Sequence, residues 1–515
     1  MKNPLSLNIA KNGLAVFAGV LLTLACAPFN VFPFALISSA VLLALWLDVS
    51  PEQAFKRGFY YGVGLFGSGV YWIFISMHTY ADLPAVFAGL LTALFIACLS
   101  LFPAVQGWLT NRYFPLTNNT KILCAFPALW VFIDWIRSWI FSGFPWLFIG
   151  YSQIQSPLKG YAPLLSVYGV SLATVLSSAL IVNAYRHYKN RQLNFSYYNL
   201  LAMVSIWVVG GALCLIQWTK PLGQTIKISL VQANIPQQLK WDPDQIQPTL
   251  NQYKTLSEKH WGSSQVVIWP EAAIPAPLEY VAGFLDDMAA VAKSHHATLI
   301  TGIPIKNPLN NRYFNAVVSV GDQSEGVYLK RRLVPFGEYI PLQYWFGRVF
   351  DFLKIPMSDF TEGVGPDEPI KLVNGIKILT FICYEIAFPE QLLSRIKSTS
   401  MILTVTNDAW FGHSIAQAQH LQMAQMRAIE LGRPVLFASN NGITATINSK
   451  GQIQNSAPPF ETYVLTDDVQ PYQGETPWQF FAMDPVLLII SALLYAAFRN
   501  RKNERGNHGT TIQSA

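Results

Sequence analysis

Long runs without a charged side chain dominate residues 1–220. No Asp, Glu, Lys or Arg occurs in 12–47, 58–81, 83–111, 138–158, 160–185 and 192–219. A helix of about 20 apolar residues crosses the hydrocarbon core of a bilayer, and these runs meet or exceed that length. The pattern predicts a membrane domain with seven spans, near 12–27, 31–48, 57–78, 84–108, 121–140, 162–184 and 197–217.

The segment 221–475 follows a different pattern, in which short β-rich runs alternate with amphipathic stretches. The predicted strands are 226–235, 266–269, 298–303, 316–320, 378–383, 401–406, 435–438 and 444–447, and the predicted helices include 278–296 and 415–432. Strands that alternate with helices indicate a layered α/β domain whose sheet is buried under helices. An eighth span is predicted within 476–500, near 480–498, and is followed by a tail at 501–515.

Basic residues are concentrated in alternate loops between the predicted spans. The loops that share one side contain Lys2, Lys11, Lys56, Arg57, Arg112, Lys121, Arg186, Lys189 and Arg191, together with the basic run at 499–502. The opposite loops hold only Asp82, Arg137 and Lys159. Since loops rich in Lys and Arg remain in the cytoplasm, both termini are predicted to be cytoplasmic. The segment 221–475 then faces the periplasm, and the predicted spans lie in the inner membrane of a bacterium.

Composition and charge narrow the possible classes of protein. Only 12% of the 515 residues are charged and 52% are hydrophobic, whereas a soluble globular chain carries about 25% charged residues. A disordered or nucleic-acid-coating protein is therefore excluded, and the net charge of +6 is small for this length. Five cysteines, four of them in apolar runs, do not form a disulfide framework, and only Cys383 lies outside the hydrophobic segments.

Three predicted strands end in side chains that can carry chemistry. Glu271 follows the apolar run that ends in Trp269-Pro270, Lys330 follows Tyr328-Leu329, and Cys383 ends its strand beside Tyr384-Glu385. Taken singly, each has an ordinary structural explanation, as a surface carboxylate, a solvated basic edge or a buried thiol. Taken together, a carboxylate, a cation and a thiol supply the base, the charge stabilisation and the nucleophile of covalent catalysis.

The order Glu, Lys, Cys and the surrounding motifs resemble the nitrilase, or carbon–nitrogen hydrolase, superfamily. That superfamily carries such a triad on a four-layer α-β-β-α sandwich. The topology and three further motifs, at 406–412, 134–137 and 143–146, extend the resemblance over nearly the full length, to the apolipoprotein N-acyltransferase family. The resemblance implies catalytic Glu271, Lys330 and Cys383, with support from Glu338, Tyr384 and Glu385.

The resemblance also implies a reaction, which is two-step acyl transfer. Cys383 would take an acyl chain from a phospholipid, with phosphatidylethanolamine the expected donor, and hold it as a thioester. The α-amino group of an apolipoprotein's N-terminal diacylglyceryl-cysteine would then accept the chain. In this scheme Glu271 acts as the base. Lys330 and the Tyr384 backbone N–H face the oxyanion, Glu338 holds the Lys330 ammonium in place, and Glu385 does similar supporting work. No cofactor, metal or nucleic acid is expected, and the protein is expected to act as a monomer.

Substrate-binding candidates are mostly apolar, because both substrates carry acyl chains. They are Trp241, Trp345, Phe346, Trp410 and Phe411, together with Arg137. The run 344–350 is either an amphipathic flap or a plain interfacial anchor. Arg137 either contacts a lipid phosphate or pairs with Asp134. His413 and His420 have no Cys or carboxylate partner at ligand spacing, so no metal site is predicted there.

Two other classes of protein remain as alternatives. A membrane-tethered amidase or nitrilase would use the same three residues to hydrolyse a small carbon–nitrogen substrate. One anchor would suffice for that activity, and seven spans before the domain argue against it. A transporter with an accessory domain would place ionisable residues at mid-membrane and often shows internal repeats. The predicted spans are nearly free of charge, and no repeat is visible.

Overall fold

The computed structural model describes residues 4–310, 312–322, 326–335, 337–339, 360–364, 369–372, 375–393 and 396–511. Within them the chain divides into two compact units. The first unit is formed by Met1–Tyr71, Gly89–Gln217 and Phe480–Ala515, and the second by Trp72–Ala88 and Trp218–Gln479.

The first unit is helical. The long helices outside the β-rich segment are Pro4–Ala25, Pro33–Trp46, Pro51–Gly69, Ala85–Tyr113, Phe126–Arg137, Ala162–Lys189, Leu193–Leu213 and Asp484–Thr511. Among the described residues, four helices are long and apolar enough to cross a membrane, Ser6–Ala25, Ala85–Tyr113, Pro157–Lys189 and Leu193–Leu213. The bent pair Pro51–Gly69 and Trp72–Tyr80 can count as a fifth.

The third predicted span, 57–78, is not one helix. Helix Pro51–Gly69 begins with proline in its first turn, and the Ser50 side chain accepts a hydrogen bond from the Gln53 backbone N–H at 3.3 Å. The helix ends at Gly69, and a separate short helix, Trp72–Ile75, leads into a π-helical turn, Ser76–Tyr80. Glycines near this end have low helix propensity, which is consistent with a break at this point.

The second unit is built on β-strands. In chain order they are β1 (Thr219–Pro221), β2 (Ile226–Gln232), β3 (Val266–Ile268), β4 (Thr298–Lys306), β5 (Tyr313–Gly321), β6 (Gly326–Leu329), β7 (Ile370–Lys371), β8 (Lys377–Ile382), β9 (Met401–Thr406), β10 (Val435–Ser439), β11 (Ala445–Ile447), β12 (Ile453–Ser456), β13 (Tyr463–Val469) and β14 (Tyr472–Gly474). Its main helices are Ile246–Glu258, Leu278–Ser294 and Ala416–Leu431.

In the part of the chain that the structure describes, the strands form two six-stranded sheets and one two-stranded ribbon. The larger sheets have the orders β13-β2-β3-β4-β5-β6 and β12-β11-β10-β9-β8-β7, and β1 pairs with β14. Each of the eight strands predicted from the sequence overlaps an observed strand. The others, among them β6, β7 and β13, were not predicted, because they are short or carry polar residues that interrupt the apolar pattern.

The two large sheets share one hydrophobic core. Alternate residues of β2, such as Ile228 and Leu230, pack in a single buried cluster with Ile378, Leu403 and Val405 from the other sheet. The opposite face of the first sheet packs in a second cluster with helices Ile246–Glu258 and Leu278–Ser294. Since successive side chains of a strand point to opposite faces, these strands are buried on both sides and read as continuous apolar runs.

Parallel pairing aligns the ends of the central strands, where the candidate reactive side chains Glu271 and Cys383 lie. In the first sheet Ile268 of β3 is paired with Leu230 and Ile300, so the turn that contains Glu271 leaves the middle of the sheet. In the second sheet Ile382 of β8 is paired with Val405 of β9, so Cys383 lies beside Thr406.

Gly302 of β4 lies directly against the turn that carries Glu271. A Cβ atom at this position would be 2.5 Å from the Ala272 nitrogen and 2.6 Å from the Pro270 oxygen. We therefore expect Gly302→Ala to displace that turn and to lower the free energy of unfolding by about 1–3 kcal/mol, the usual cost of overpacking. Thermal unfolding of the detergent-purified protein measures the change.

The matched control for this prediction is Gly283→Ala. Gly283 lies on the exposed side of helix Leu278–Ser294, and beyond its chain neighbours and the helix backbone no described atom lies within 4 Å of an added Cβ. Alanine is the better helix former, so this variant is expected to unfold at an unchanged or slightly higher temperature. Equal unfolding midpoints for the two variants would contradict the packing argument.

Candidate active site

Cys383 lies at a sharp turn between β8 and the 3₁₀ turn Cys383–Ala387. Its backbone φ is 53°, in the left-handed region that a non-glycine residue rarely adopts. Strain of this kind is concentrated at functional sites. The turn lifts the half-buried thiol out of the strand at the end of the second sheet.

Glu271 is held at the end of β3 by three donors. Its Oε1 atom accepts hydrogen bonds from Asn315 Nδ2 at 2.8 Å and from Lys330 Nζ at 3.2 Å. Its Oε2 atom accepts from the Asn407 backbone N–H at 2.9 Å. Because Asn407 follows β9 and Asn315 belongs to β5, this carboxylate connects the ends of both sheets.

Lys330 follows β6 and is shared by two carboxylates. Its side chain is 1% exposed, and Nζ lies 2.8 Å from Glu338 Oε1 in addition to its contact with Glu271. Asn315 Nδ2 donates to the same Glu338 oxygen at 3.0 Å, and the Val334 N–H donates to the other oxygen at 2.9 Å. Glu338 therefore contacts the Lys330 ammonium directly and is itself held by two N–H donors.

Burial and neighbouring charges set the protonation states of this cluster. Burial by itself raises the pKa of Glu271, but Lys330, the Asn315 amide and Lys240 outweigh it, so the pKa lies below its usual value. Burial lowers the pKa of Lys330, whereas Glu271 and Glu338 raise it well above its ordinary value. At neutral pH the pair is a carboxylate and an ammonium.

Cys383 is a protonated thiol at neutral pH. Burial and the negative charge of Glu271 raise the pKa of Cys383 well above that of an ordinary cysteine, and Lys330 opposes this only in part. A thiol needs a base within reach at the moment of attack, because only the thiolate is nucleophilic. A carboxylate that is already ionised can take that proton.

Glu385 connects the turn that begins at Cys383 to the backbone that follows Lys330. Its side chain is buried, and it accepts hydrogen bonds from the Ile382 N–H at 2.9 Å, from Tyr328 Oη at 2.8 Å and from the Arg331 N–H at 2.8 Å. The Tyr384 ring packs edge-on against Phe388 with centroids 4.9 Å apart. Glu385 thus holds the backbone beside Cys383 and the backbone after Lys330 at a constant separation.

Three residues of this cluster were missed in the sequence. Asn315 is a buried polar residue inside the apolar strand β5, and that contrast is a signal which could have found it. Asn407 lies within the motif 406–412, but no role was predicted for it from the sequence. Lys240 precedes Trp241, and its Nζ donates to the Glu271 backbone oxygen at 2.9 Å. Burial lowers the pKa of Lys240 to about 8, although Glu271 and Cys383 oppose the shift.

The aromatic candidates of the second unit are partly buried. Trp241 is half-buried, and its Nε1 atom makes no hydrogen bond with the part of the chain that is described. Phe411 packs edge-on against Trp72 with centroids 4.8 Å apart, and Trp410 similarly meets Tyr80 at 6.1 Å. Ser76 Oγ donates to the Trp410 carbonyl at 2.7 Å. Trp345 and Phe346, with the whole run 344–350, lie outside the described residues.

His420 makes a contact that residue spacing along the chain does not reveal. His420 does have a carboxylate partner, since Nδ1 lies 3.0 Å from Asp408 Oδ1. Asp408 does not stand at ligand spacing from His420 along the chain. The two residues meet because helix Ala416–Leu431 folds back over the end of β9. His413 stacks instead on Phe460 at 3.7 Å. No group of three or more His, Cys, Asp or Glu that could hold a metal occurs in the described segments.

Two family matches cover most of the chain. Residues 18–180 match the apolipoprotein N-acyltransferase N-terminal domain, and residues 227–477 match the carbon–nitrogen hydrolase domain. An apolipoprotein N-acyltransferase from Coxiella burnetii is 42% identical over 486 residues, which are 94% of this chain and 99% of that protein. One from Azotobacter vinelandii is 40% identical over 507 residues, 98% of each chain.

The chain belongs to the apolipoprotein N-acyltransferase family. The resemblance inferred from the sequence motifs is therefore confirmed, and the carbon–nitrogen hydrolase match contains Glu271, Lys330 and Cys383. Among solved structures, the carbon–nitrogen hydrolase from Helicobacter pylori has a TM-score of 0.37 and 17% identity, and the alignment covers 48% of this chain and 89% of that chain.

The N-terminal family match includes Arg137, which lies in the first unit. This residue is 3% exposed. Its guanidinium contacts Asp134 at 2.9 Å and donates to the Trp146 carbonyl at 2.6 Å and the Phe144 carbonyl at 3.2 Å. Of the two alternatives for Arg137 in this family member, the structure favours pairing with Asp134 over contact with a lipid phosphate.

The charges around Cys383 predict how its reactivity depends on pH. Iodoacetamide alkylates the thiolate, so its rate against pH reports the thiol pKa. In the wild type we expect the rate to rise beyond the pKa of an ordinary thiol, about 8.5. Glu271→Gln removes the charge that raises this pKa, so the profile shifts to lower pH; Lys330→Met removes the opposing charge, so the profile shifts to higher pH.

Mass spectrometry of the peptide that carries Cys383 separates its alkylation from that of the other cysteines. Glu279→Gln is the matched control, because Glu279 is an exposed carboxylate at the start of helix Leu278–Ser294. It should leave the profile unchanged. Shifts of Glu271→Gln and Lys330→Met in the same direction would contradict the electrostatic argument.

Proposed function

We propose that this chain is a bacterial membrane enzyme that transfers an acyl chain from a phospholipid to the N-terminal diacylglyceryl-cysteine of apolipoproteins. The family match over 94% of the chain carries the proposal. The buried pair of Glu271 and Lys330, whose charges shift the pKa of Cys383, supports it. Phosphatidylethanolamine is the proposed donor, and the enzyme acts as a monomer.

In the first step Cys383 attacks the ester carbonyl of the phospholipid. Glu271 takes the thiol proton as the carbon–sulfur bond forms. The negative charge of the tetrahedral oxyanion is stabilised by the Lys330 ammonium and the Tyr384 backbone N–H. The carbon–oxygen bond then breaks, Glu271 returns its proton to the departing lysophospholipid hydroxyl, and the acyl chain remains on sulfur as a thioester.

In the second step the α-amino group of the apolipoprotein attacks the thioester. Glu271 accepts a proton from the amine and passes it to the departing Cys383 sulfur, which restores the thiol. A thioester suits this sequence because it stores the acyl group and still yields readily to an amine. Water must be kept away from it, since hydrolysis would release a free fatty acid.

We further propose the detailed architecture that the sequence predicted. Seven spans within 1–220 precede a periplasmic domain, 221–475, whose two sheets and covering helices form an α-β-β-α sandwich. The segment 476–500 supplies an eighth span, and the tail 501–515 is cytoplasmic. The uneven distribution of Lys and Arg among the loops supports this orientation in the inner membrane.

Intact-mass analysis of the detergent-purified protein tests the proposed reaction. Incubation with phosphatidylethanolamine alone should add one acyl mass to Cys383. Neutral hydroxylamine should remove this mass, and a diacylglyceryl-cysteine peptide should accept the chain. Cys383→Ser should give no adduct, because no thiol is present to attack the ester. Ammonia release from small amides or nitriles without any acyl adduct would point instead to a membrane-tethered carbon–nitrogen hydrolase.

Trp241 is proposed to contact the acyl substrates, with Trp410, Phe411, Trp345 and Phe346 as further apolar contacts. We expect Trp241→Ala to lower acyl transfer about tenfold, which corresponds to about 1.4 kcal/mol of lost aromatic contact. The alkylation rate of Cys383 by iodoacetamide should be unchanged. Tyr280→Ala, which removes an aromatic ring that is 77% exposed, is the control. A parallel loss of thiol reactivity in Trp241→Ala would indicate damage to the fold.

A further inference from the structure

His420 contacts the turn that begins at Cys383. It belongs to helix Ala416–Leu431 and is 1% exposed. Its Nε2 atom lies 3.1 Å from the Cys383 backbone oxygen, and its Nδ1 atom lies 3.0 Å from Asp408 Oδ1. Thr406 Oγ1 donates to the same Asp408 oxygen at 2.7 Å. A buried histidine therefore connects a buried carboxylate to the backbone of the nucleophile.

The hydrogen-bond chemistry determines where the protons lie. A peptide carbonyl can only accept, so Nε2 must carry a hydrogen and donate it to Cys383. Nδ1 is then joined to the Asp408 carboxyl by the hydrogen bond of 3.0 Å, which orients the ring so that Nε2 faces the Cys383 oxygen.

That carbonyl belongs to the peptide unit whose nitrogen is Tyr384. A hydrogen bond to the oxygen of a peptide polarises the unit and makes its N–H a stronger donor, because hydrogen bonds in a chain strengthen one another. We propose that His420, oriented by Asp408, is a positioning residue that polarises the Cys383–Tyr384 peptide and strengthens the Tyr384 N–H toward the oxyanion. The inference rests on the proposed function, in which that N–H faces the oxyanion.

The geometry of Cys383 gives the same contact a second effect. The left-handed φ of 53° is unfavourable for a residue with a Cβ atom, so surrounding contacts must hold it. The bond from Nε2 fixes the carbonyl on one side of the turn, while Glu385 holds the Ile382 N–H on the other side at 2.9 Å. His420 thus acts on the backbone of the nucleophile and does not need to touch the substrate.

Two amide substitutions distinguish the roles of the two imidazole nitrogens. Glutamine can place its amide N–H near the position of Nε2 and retain the bond to the Cys383 oxygen. Asparagine is one methylene shorter and can place its N–H only near Nδ1, toward Asp408. A residue needed only for packing would tolerate both amides equally, whereas the proposed role requires the donor at Nε2.

The experiment measures two reactions of Cys383 in each variant. Thioester formation from phosphatidylethanolamine in detergent micelles passes through an oxyanion, and alkylation by iodoacetamide does not. We expect His420→Asn to lower the first-order rate of thioester formation at saturating lipid about tenfold, which is less than the 10²–10³ lost with a whole oxyanion donor. His420→Gln should remain within about threefold of wild type, as expected if polarisation is only a part of that donor's effect. Alkylation should be unchanged in both.

Asp408→Asn provides an independent measurement. It removes the carboxylate that orients His420, so the rate of thioester formation should fall, and the double variant with His420→Asn should lose little more than either single variant. A wild-type protein that forms no thioester overturns the proposed function, and this inference with it. If the wild type forms the thioester, equal losses in His420→Gln and His420→Asn, or a parallel loss of alkylation, overturn this inference alone.

Discussion

The buried ammonium of Lys330, shared between Glu271 and Glu338, is the interaction on which the candidate active site depends. Removing one partner of a buried ion pair costs about 3–5 kcal/mol, because the remaining charge is left without compensation. Here two carboxylates and one ammonium are joined further by Asn315, which donates to both carboxylates. The cluster keeps Glu271 ionised in a buried place, which is the state that the base of the proposed reaction requires.

The same cluster is assembled from the ends of two different sheets. Glu271, Asn315 and Lys330 follow or belong to strands of the first sheet, whereas Asn407 and Cys383 follow strands of the second. The contact between the Asn407 N–H and Glu271 Oε2 crosses from one to the other. Packing of the two sheets through one hydrophobic core therefore determines the positions of Glu271 and Cys383 relative to each other.

Strain and support are balanced around Cys383. A left-handed backbone at a non-glycine residue is unfavourable by itself, yet the turn is held by Glu385 from one side and by His420 from the other. Both supporting side chains are buried and accept or donate to the backbone. These contacts fix the position of the Cys383 backbone at the end of the second sheet.

The features that depend on local pattern could be predicted from the amino-acid sequence. Charge-free runs indicated membrane spans, alternation of apolar runs predicted eight strands of the two sheets, and reactive residues at strand ends pointed to Glu271, Lys330 and Cys383. Only the tertiary structure decided which side chains complete the cluster. Asn315 and Lys240 are distant in sequence from the residues they contact, and Asp408 meets His420 only where a helix folds back over a strand end. Contacts between remote segments leave no period or motif along the chain, because they arise from sheet packing rather than from neighbouring residues.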